Sequence, residues 1–176
     1  MLNRNFKTIM LGWFMGSVTR DDEAPMLAPQ TIYNVEGGSG TYPIDIETEG
    51  QTNAIINALN TLSTSNTIAR QAANRLFMAV GTGTTEATAE DYTLESENTD
   101  ITCEAITQTY TTSYKRQITA TFNNPTAQDI NLREVGLFYE TYLNEDFYIN
   151  TIMLARENID VTIPAGESKA ITMEIG

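Results

Sequence analysis

The segment RLFMAVGTGTTEATAEDYTL, residues 75–94, runs from an apolar stretch into Gly81 and Gly83, then threonines and a string of carboxylates. Glycines at such a junction can cradle a phosphate, because bare backbone N–H groups can approach the anion closely. A phosphate loop of the G-x-x-x-x-G-K-[ST] kind also requires a lysine, and none lies nearby. A dinucleotide fingerprint requires a third glycine, where this chain has Glu86. Glu86, Glu90 and Asp91 would moreover repel the ligand. The segment therefore reads as a structural turn: Gly81 and Gly83 allow a sharp exit from a strand, and Thr84 and Thr85 can bond local backbone groups.

Other residue types that could do chemistry are few. The run DIETEG, Asp45 to Gly50, imitates the start of a calcium loop, but the twelfth position, where a bidentate glutamate should close the site, is Ile56. It reads better as a solvated acidic turn, and no metal ligand set is assigned. Glu134 and Glu140 are spaced so that a strand would carry both on one face, as a glycosidase pair would need; in so acidic a chain they read as surface carboxylates. There is no histidine, which removes histidine triads, HExxH zinc sites and imidazole proton shuttles. The single Cys103 has no histidine to activate it and no partner for an intrachain disulfide, so it reads as a small core residue. No catalytic residue and no cofactor are expected, and the chain is not read as an enzyme.

Charge narrows the partners. The 176 residues carry 10 Lys and Arg against 23 Asp and Glu, a net charge of -13, so nucleic acid and anionic membranes, which bind through lysine and arginine, are not expected partners. Hydrophobic residues make up 41% of the chain and the carboxylates are scattered, which argues for a folded protein with a real core.

The elements that must position these residues follow from periodicity. Residues 1–50 read as an N-terminal arm and loop region. Phe6, Ile9, Leu11, Trp13, Phe14 and Val18 form an apolar cluster without a small-x-small cleavage site after it, an arm to be covered by the rest of the fold or by a partner. Beyond it, TIYNV and YPIDI flank EGGSG and can pair as a small hairpin. Residues 51–75 read as a short helical segment: Ile55, Leu59 and Leu62, then Ile68, Ala72 and Leu76, recur at helical spacing, as two short helices or one kinked helix. From residue 76 the period becomes two. Ile101, Cys103 and Ala105 alternate with Thr102, Glu104 and Ile106, and Ile118, Ala120 and Phe122 share one face of QITATF. Further runs at INLREVGLFYE, FYINTIMLARE, IDVTI and KAITMEI are separated by turn signals, the last two by PAGES, with Pro164 and Gly166. Gly136, inside REVGLFY, predicts a bulge or a close backbone approach. Residues 76–176 are thus expected to form a mainly β domain, an antiparallel β-sandwich of jelly-roll or Ig-like type.

The order VGTGTTEATAEDYTL, then a strand ending ITATF, then LREVGLFY, IMLAR and VTIPAGESKAITMEI resembles the C-terminal half of small virion structural proteins of tailed bacteriophages. The matching residues are Gly81, Gly83, Thr84, Thr85, Asp91 and Leu94, then Glu134 to Phe138, and the opening MLNRNF is also similar. The resemblance implies a non-enzymatic component of the virion, such as a head decoration or fibre, collar or tail protein, assembled in the bacterial host cytoplasm. Its expected partners are other copies of itself and capsid, collar or tail subunits. The alternative is a host-recognition or glycan-binding module, for which tyrosines such as Tyr142 and Tyr148 would have to line a groove.

Overall fold

The computed structural model describes residues 30–33, 39–42, 62–64, 75–111, 115–142 and 149–175. The apolar cluster of Phe6, Ile9, Leu11, Trp13, Phe14 and Val18, the Asp45 to Gly50 loop, Tyr148 and most of the expected helical segment lie outside them. Strands β1, Gln30–Tyr33, and β2, Ser39–Tyr42, pair antiparallel with Tyr33 opposite Ser39. The expected hairpin is present, but its second strand begins inside EGGSG rather than after it.

Six further strands build the main body: β3, Arg75–Gly81; β4, Thr102–Tyr110; β5, Arg116–Asn123; β6, Ile130–Tyr142; β7, Ile149–Ile163; and β8, Ser168–Ile175. They form two three-stranded antiparallel sheets packed as a sandwich, with orders β3-β6-β7 and β4-β5-β8. The pairing of β3 with β6 and of β5 with β8, each three strands apart in sequence, makes the connections of Greek-key type. From Ile149 onward the run FYINTIMLARE continues through IDVTI as one 15-residue strand, β7.

No helix occurs among the described residues. Leu62 and Leu76, two positions of the expected helical stripes, instead face each other in an isolated parallel bridge, with Ser63 N donating to Leu76 O at 3.0 Å. The sequence RLFMAVG is buried at every position, as suits a strand covered on both faces, and this burial overrides the helical spacing that leads up to it.

The alternation expected of QITATF holds: Ile118, Ala120 and Phe122 are buried, while Gln117, Thr119 and Thr121 are half-buried on the other face. They meet Ile171 and Met173 of β8 and, across the sandwich, Leu76, Val80 and Leu137 in one hydrophobic core. In β4 the expected alternation fails after Cys103. A bulge between Cys103 and Ala105 inserts a residue, so Ala105 is exposed and Ile106 takes the inward face beside half-buried Cys103.

The two sheets differ in how they are covered. Sheet β4-β5-β8 buries one face. Sheet β3-β6-β7 buries both: Val135, Leu137 and Tyr139 of β6 face the common core, while Phe77, Ala79, Phe138, Met153 and Leu94 form a second cluster on the outer side. Phe77 and Phe138, opposite each other in the register, stack with centroids 5.4 Å apart and planes at 18°.

Asn124, which follows β5, holds one end of the sandwich. It is fully buried, its Nδ2 is shared among the carbonyl oxygens of Gln128 (2.7 Å), Ile163 (2.9 Å) and Pro164 (3.2 Å), and its Oδ1 accepts from Thr126 N and Oγ1. Its backbone carbonyl accepts from Gly166 N at 2.9 Å. The expected turn is here: Glu167 N donates to Pro164 O at 3.1 Å and Gly166 takes φ 71° with open space around it. Because Phe122 fills the centre of the core at zero exposure, Phe122→Ala is expected to cost about 3 to 5 kcal/mol. Denaturant unfolding measures this, and a loss under about 1 kcal/mol would contradict the inward placement.

Candidate functional site

The motif residues converge on one place, the end of β3 and the loop that follows it. The carboxylate of Glu134 on β6 is fully buried. Its Oε1 accepts from the backbone N–H groups of Gly83 (3.1 Å) and Ser96 (2.8 Å), and its Oε2 from Glu95 N (3.0 Å) and Arg156 Nε (2.9 Å). Four donors match the four lone-pair positions of a carboxylate, so the buried charge is fully compensated. Both ends of the strap 82–98 are thereby fastened to one side chain. Thr82 N to Ser96 O and Asn98 N to Val80 O, each 2.8 Å, close the same ends with backbone bonds.

The glycines are required by this approach. A Cβ on Gly83 would lie 2.5 Å from Glu134 Oε1 and from Glu95 Cβ, and one on Gly81 would collide with Glu134 Oε1 and the carbonyl oxygen of Ser96. Gly136 serves differently: a Cβ there would lie 2.5 Å from Phe138 Cε2 and 3.0 Å from Leu94 Cδ2. It is the close approach expected of REVGLFY. The register breaks of the β6–β7 ladder fall on either side, between Leu132 and Glu134 and between Leu137 and Phe138.

Arg156 of β7 organises the rest. Its side chain is 3% exposed; besides Glu134, Nη1 donates to Asp91 Oδ2 (2.8 Å) and Nη2 to the carbonyl oxygen (3.1 Å) and Oγ1 (3.2 Å) of Thr85. Asn158 binds the strap twice, through Nδ2 to Thr85 O (2.8 Å) and by accepting Ala87 N (2.6 Å). Asp91 in turn accepts Thr88 N and Oγ1, and Glu95 accepts Thr85 N and Oγ1. Thr85 is thus bonded to the side chains of Glu95, Arg156 and Asn158 rather than to the local backbone groups expected of it. Burial raises the Asp91 carboxyl, but bonds from Thr88 and Arg156 outweigh it and hold the group below its usual value. Glu95 is held low by the Thr85 backbone and hydroxyl donors. Burial disfavours the Arg156 charge, yet Asp91 and Glu134 overcompensate and raise its pKa.

Glu134 and Glu140 do share a face, but they are not surface groups: both have zero exposure. Each is closed by its own arginine, for Arg75 Nε lies 2.6 Å from Glu140 Oε2 and its guanidinium sits over the Phe77 ring at 5.1 Å. Isolated carboxylates cannot stay charged at such burial, and a cross-strand arginine is the remedy. The sequence reading passed over Arg156, Arg75, Asn158, Glu95 and Asn124. A signal existed for the first: an arginine ending the apolar run TIMLAR must find a carboxylate, and Glu134 stands in an equally apolar run.

Among the described residues no cluster of three or more His, Cys, Asp or Glu side chains is placed to hold a metal ion. Free Cys103 is half-buried, and burial pushes its thiol up. The fold and this site define a β-sandwich with a clasp whose buried carboxylate is compensated from within. Comparison with family models, with curated proteins and with solved structures finds no match to the chain.

Two outcomes follow for the clasp. Glu134→Gln leaves Arg156 short of a partner and sets an amide N–H against backbone N–H donors; the loss of stability is expected to be about 3 to 5 kcal/mol, against about 1 to 3 kcal/mol for the overpacking in Gly83→Ala. Chemical denaturation measures both. Asp91 and Glu95 have lowered pKa values in the fold, so their contribution is complete above the ordinary carboxylate range near pH 4 and is lost as the pH falls through the lower folded values. The unfolding midpoint should drop on acidification below about pH 4, and Asp91→Asn should flatten that drop.

Proposed function

We propose that the chain is a non-enzymatic structural component of a tailed-bacteriophage virion, a head decoration or fibre, collar or tail protein that assembles through symmetric subunit contacts. One observation carries the reading. Of the residues that bear the resemblance, Gly81, Gly83, Thr85, Asp91 and Glu134 come from distant parts of the chain and meet in the clasp, with Leu94, Gly136 and Phe138 packed beside it, while Val135 and Leu137 face the common core and Thr84 is exposed. Their spacing is therefore that of one three-dimensional unit. The acceptor positions of the Glu134 carboxylate are all filled within that unit, as suits a scaffold. The sandwich presents strands in a Greek-key order that fits an Ig-like reading better than an eight-stranded jelly roll.

In this reading the cluster of Phe6, Ile9, Leu11, Trp13, Phe14 and Val18 docks on a neighbouring subunit, with copies of the chain and capsid, collar or tail proteins as partners. Deleting residues 1–20 tests it. The truncated protein is expected to keep a near-native unfolding midpoint while losing its oligomeric mass or its incorporation into particles. An unfolded truncation would show instead that the segment completes the chain's own core. Saturable binding of host surface glycans by the intact chain would favour the recognition module.

A further inference from the structure

Of the four sheet faces in the sandwich, two meet in the core and the outer face of β3-β6-β7 is buried. The fourth, the outer face of β4-β5-β8, is open among the described residues. Its strands are in register, so its side chains form rows: Ala105–Thr121–Ala170 and Thr107–Thr119–Thr172. Thr119 and Thr172 bond through their hydroxyls at 2.8 Å. Ala105, Thr107, Ala170 and Thr172 are exposed, and Thr119 and Thr121 on the central strand are half-buried by their neighbours.

We infer that this threonine and alanine face is a self-association surface on which a second copy of the chain docks face to face. The inference rests on the proposed assembly and names the surface that performs it. Charge selects the occupant. A chain of net charge -13 repels its own copies over most of its surface. The strap segment 82–100 is the extreme case, with Glu86, Glu90, Asp91, Glu95, Glu97 and Asp100 and no lysine or arginine. The two central rows of the open face carry no charge. At one end Lys115 and Glu174 neutralise each other at 2.5 Å; at the other Glu104, bonded by Ser168 Oγ at 2.8 Å, keeps its charge, and a two-fold axis across the strands sets it against the neutral Lys115–Glu174 end of the second copy. Here two copies can meet without opposing like charges.

Size agrees. Three strands about 4.8 Å apart and about eight residues long present a face on the order of 400 Å². Two such faces with their side-chain relief approach the roughly 1,000 Å² at which specific interfaces begin. Contact of identical faces is isologous and closes at a two-fold axis, which sets the Thr119 rows of the two copies against each other.

The test is sedimentation equilibrium of the full chain at physiological salt. The wild type is expected to show a concentration-dependent dimer in the micromolar range. Thr119→Glu and Thr119→Lys, each placing like charges across the axis, should each weaken dimerisation by about tenfold or more, and an equimolar mixture of the two should restore it. Asn131→Glu, exposed on the other sheet, should not. Unfolding midpoints check the fold, and if either Thr119 variant loses it, Ala170→Glu on the same face replaces it. Wild-type dimers that survive Thr119→Glu would overturn the inference and leave the assembly reading standing. A wild type monomeric at all concentrations would also overturn it, while particle incorporation speaks separately to the proposed function.

Discussion

A carboxylate withdrawn from water must find a donor for every lone pair, and much of this structure follows from how Glu134 meets that demand. Three of its four donors are backbone N–H groups, so the loop has to come to the side chain rather than the reverse. That forces the backbone at Gly81 and Gly83 so close to Glu134 that no side chain fits there. The fourth donor, Arg156, brings its own unmet N–H groups, which draw in Asp91 and Thr85 and so fix the middle of the strap. Each charge compensates the next in a medium of low dielectric, where leaving any one unpaired is costly.

The same logic explains the asymmetry of the sandwich. A sheet buried on both faces usually reads as continuously apolar, and β3 and β6 nearly do. Their buried charged exceptions are Arg75, Glu134 and Glu140, and each is neutralised within the sheet or its strap. Along β6 the outer face runs Glu134, Gly136, Phe138, Glu140, two ion pairs bracketing the Phe77–Phe138 stack. Packing there is set at the ends by directional polar bonds and in the middle by apolar contact, which specifies one register. The opposite sheet, β4-β5-β8, buries only one face, and the outward side of its central rows is threonine and alanine.

These two faces divide the labour that the proposed function needs. The clasp ties the strap to the sheet through a buried Glu134–Arg156 pair, and its members are satisfied by one another. The open face turns small, uncharged groups outward. A building block of strongly negative charge requires both: a body that holds its shape alone, and a neutral surface on which copies can approach.

Period-two alternation made the sandwich legible, and the inward side of QITATF and the glycine turn of PAGES could be read directly, because each depends on neighbours in sequence. The reading of the turn at 81–83 as structural rests on equally local features, the missing lysine and the neighbouring carboxylates. What the turn encloses could not be read. Gly81, Glu134 and Arg156 are far apart in the chain, and sequence carries no measure of which distant side chains share a volume. The bulge at Cys103, the bridge of Leu62 with Leu76 and the burial of Glu134 and Glu140 are of the same kind. In each case local spacing favoured one conformation or exposure, and tertiary burial, which sums many contacts and must neutralise every charge it encloses, decided otherwise.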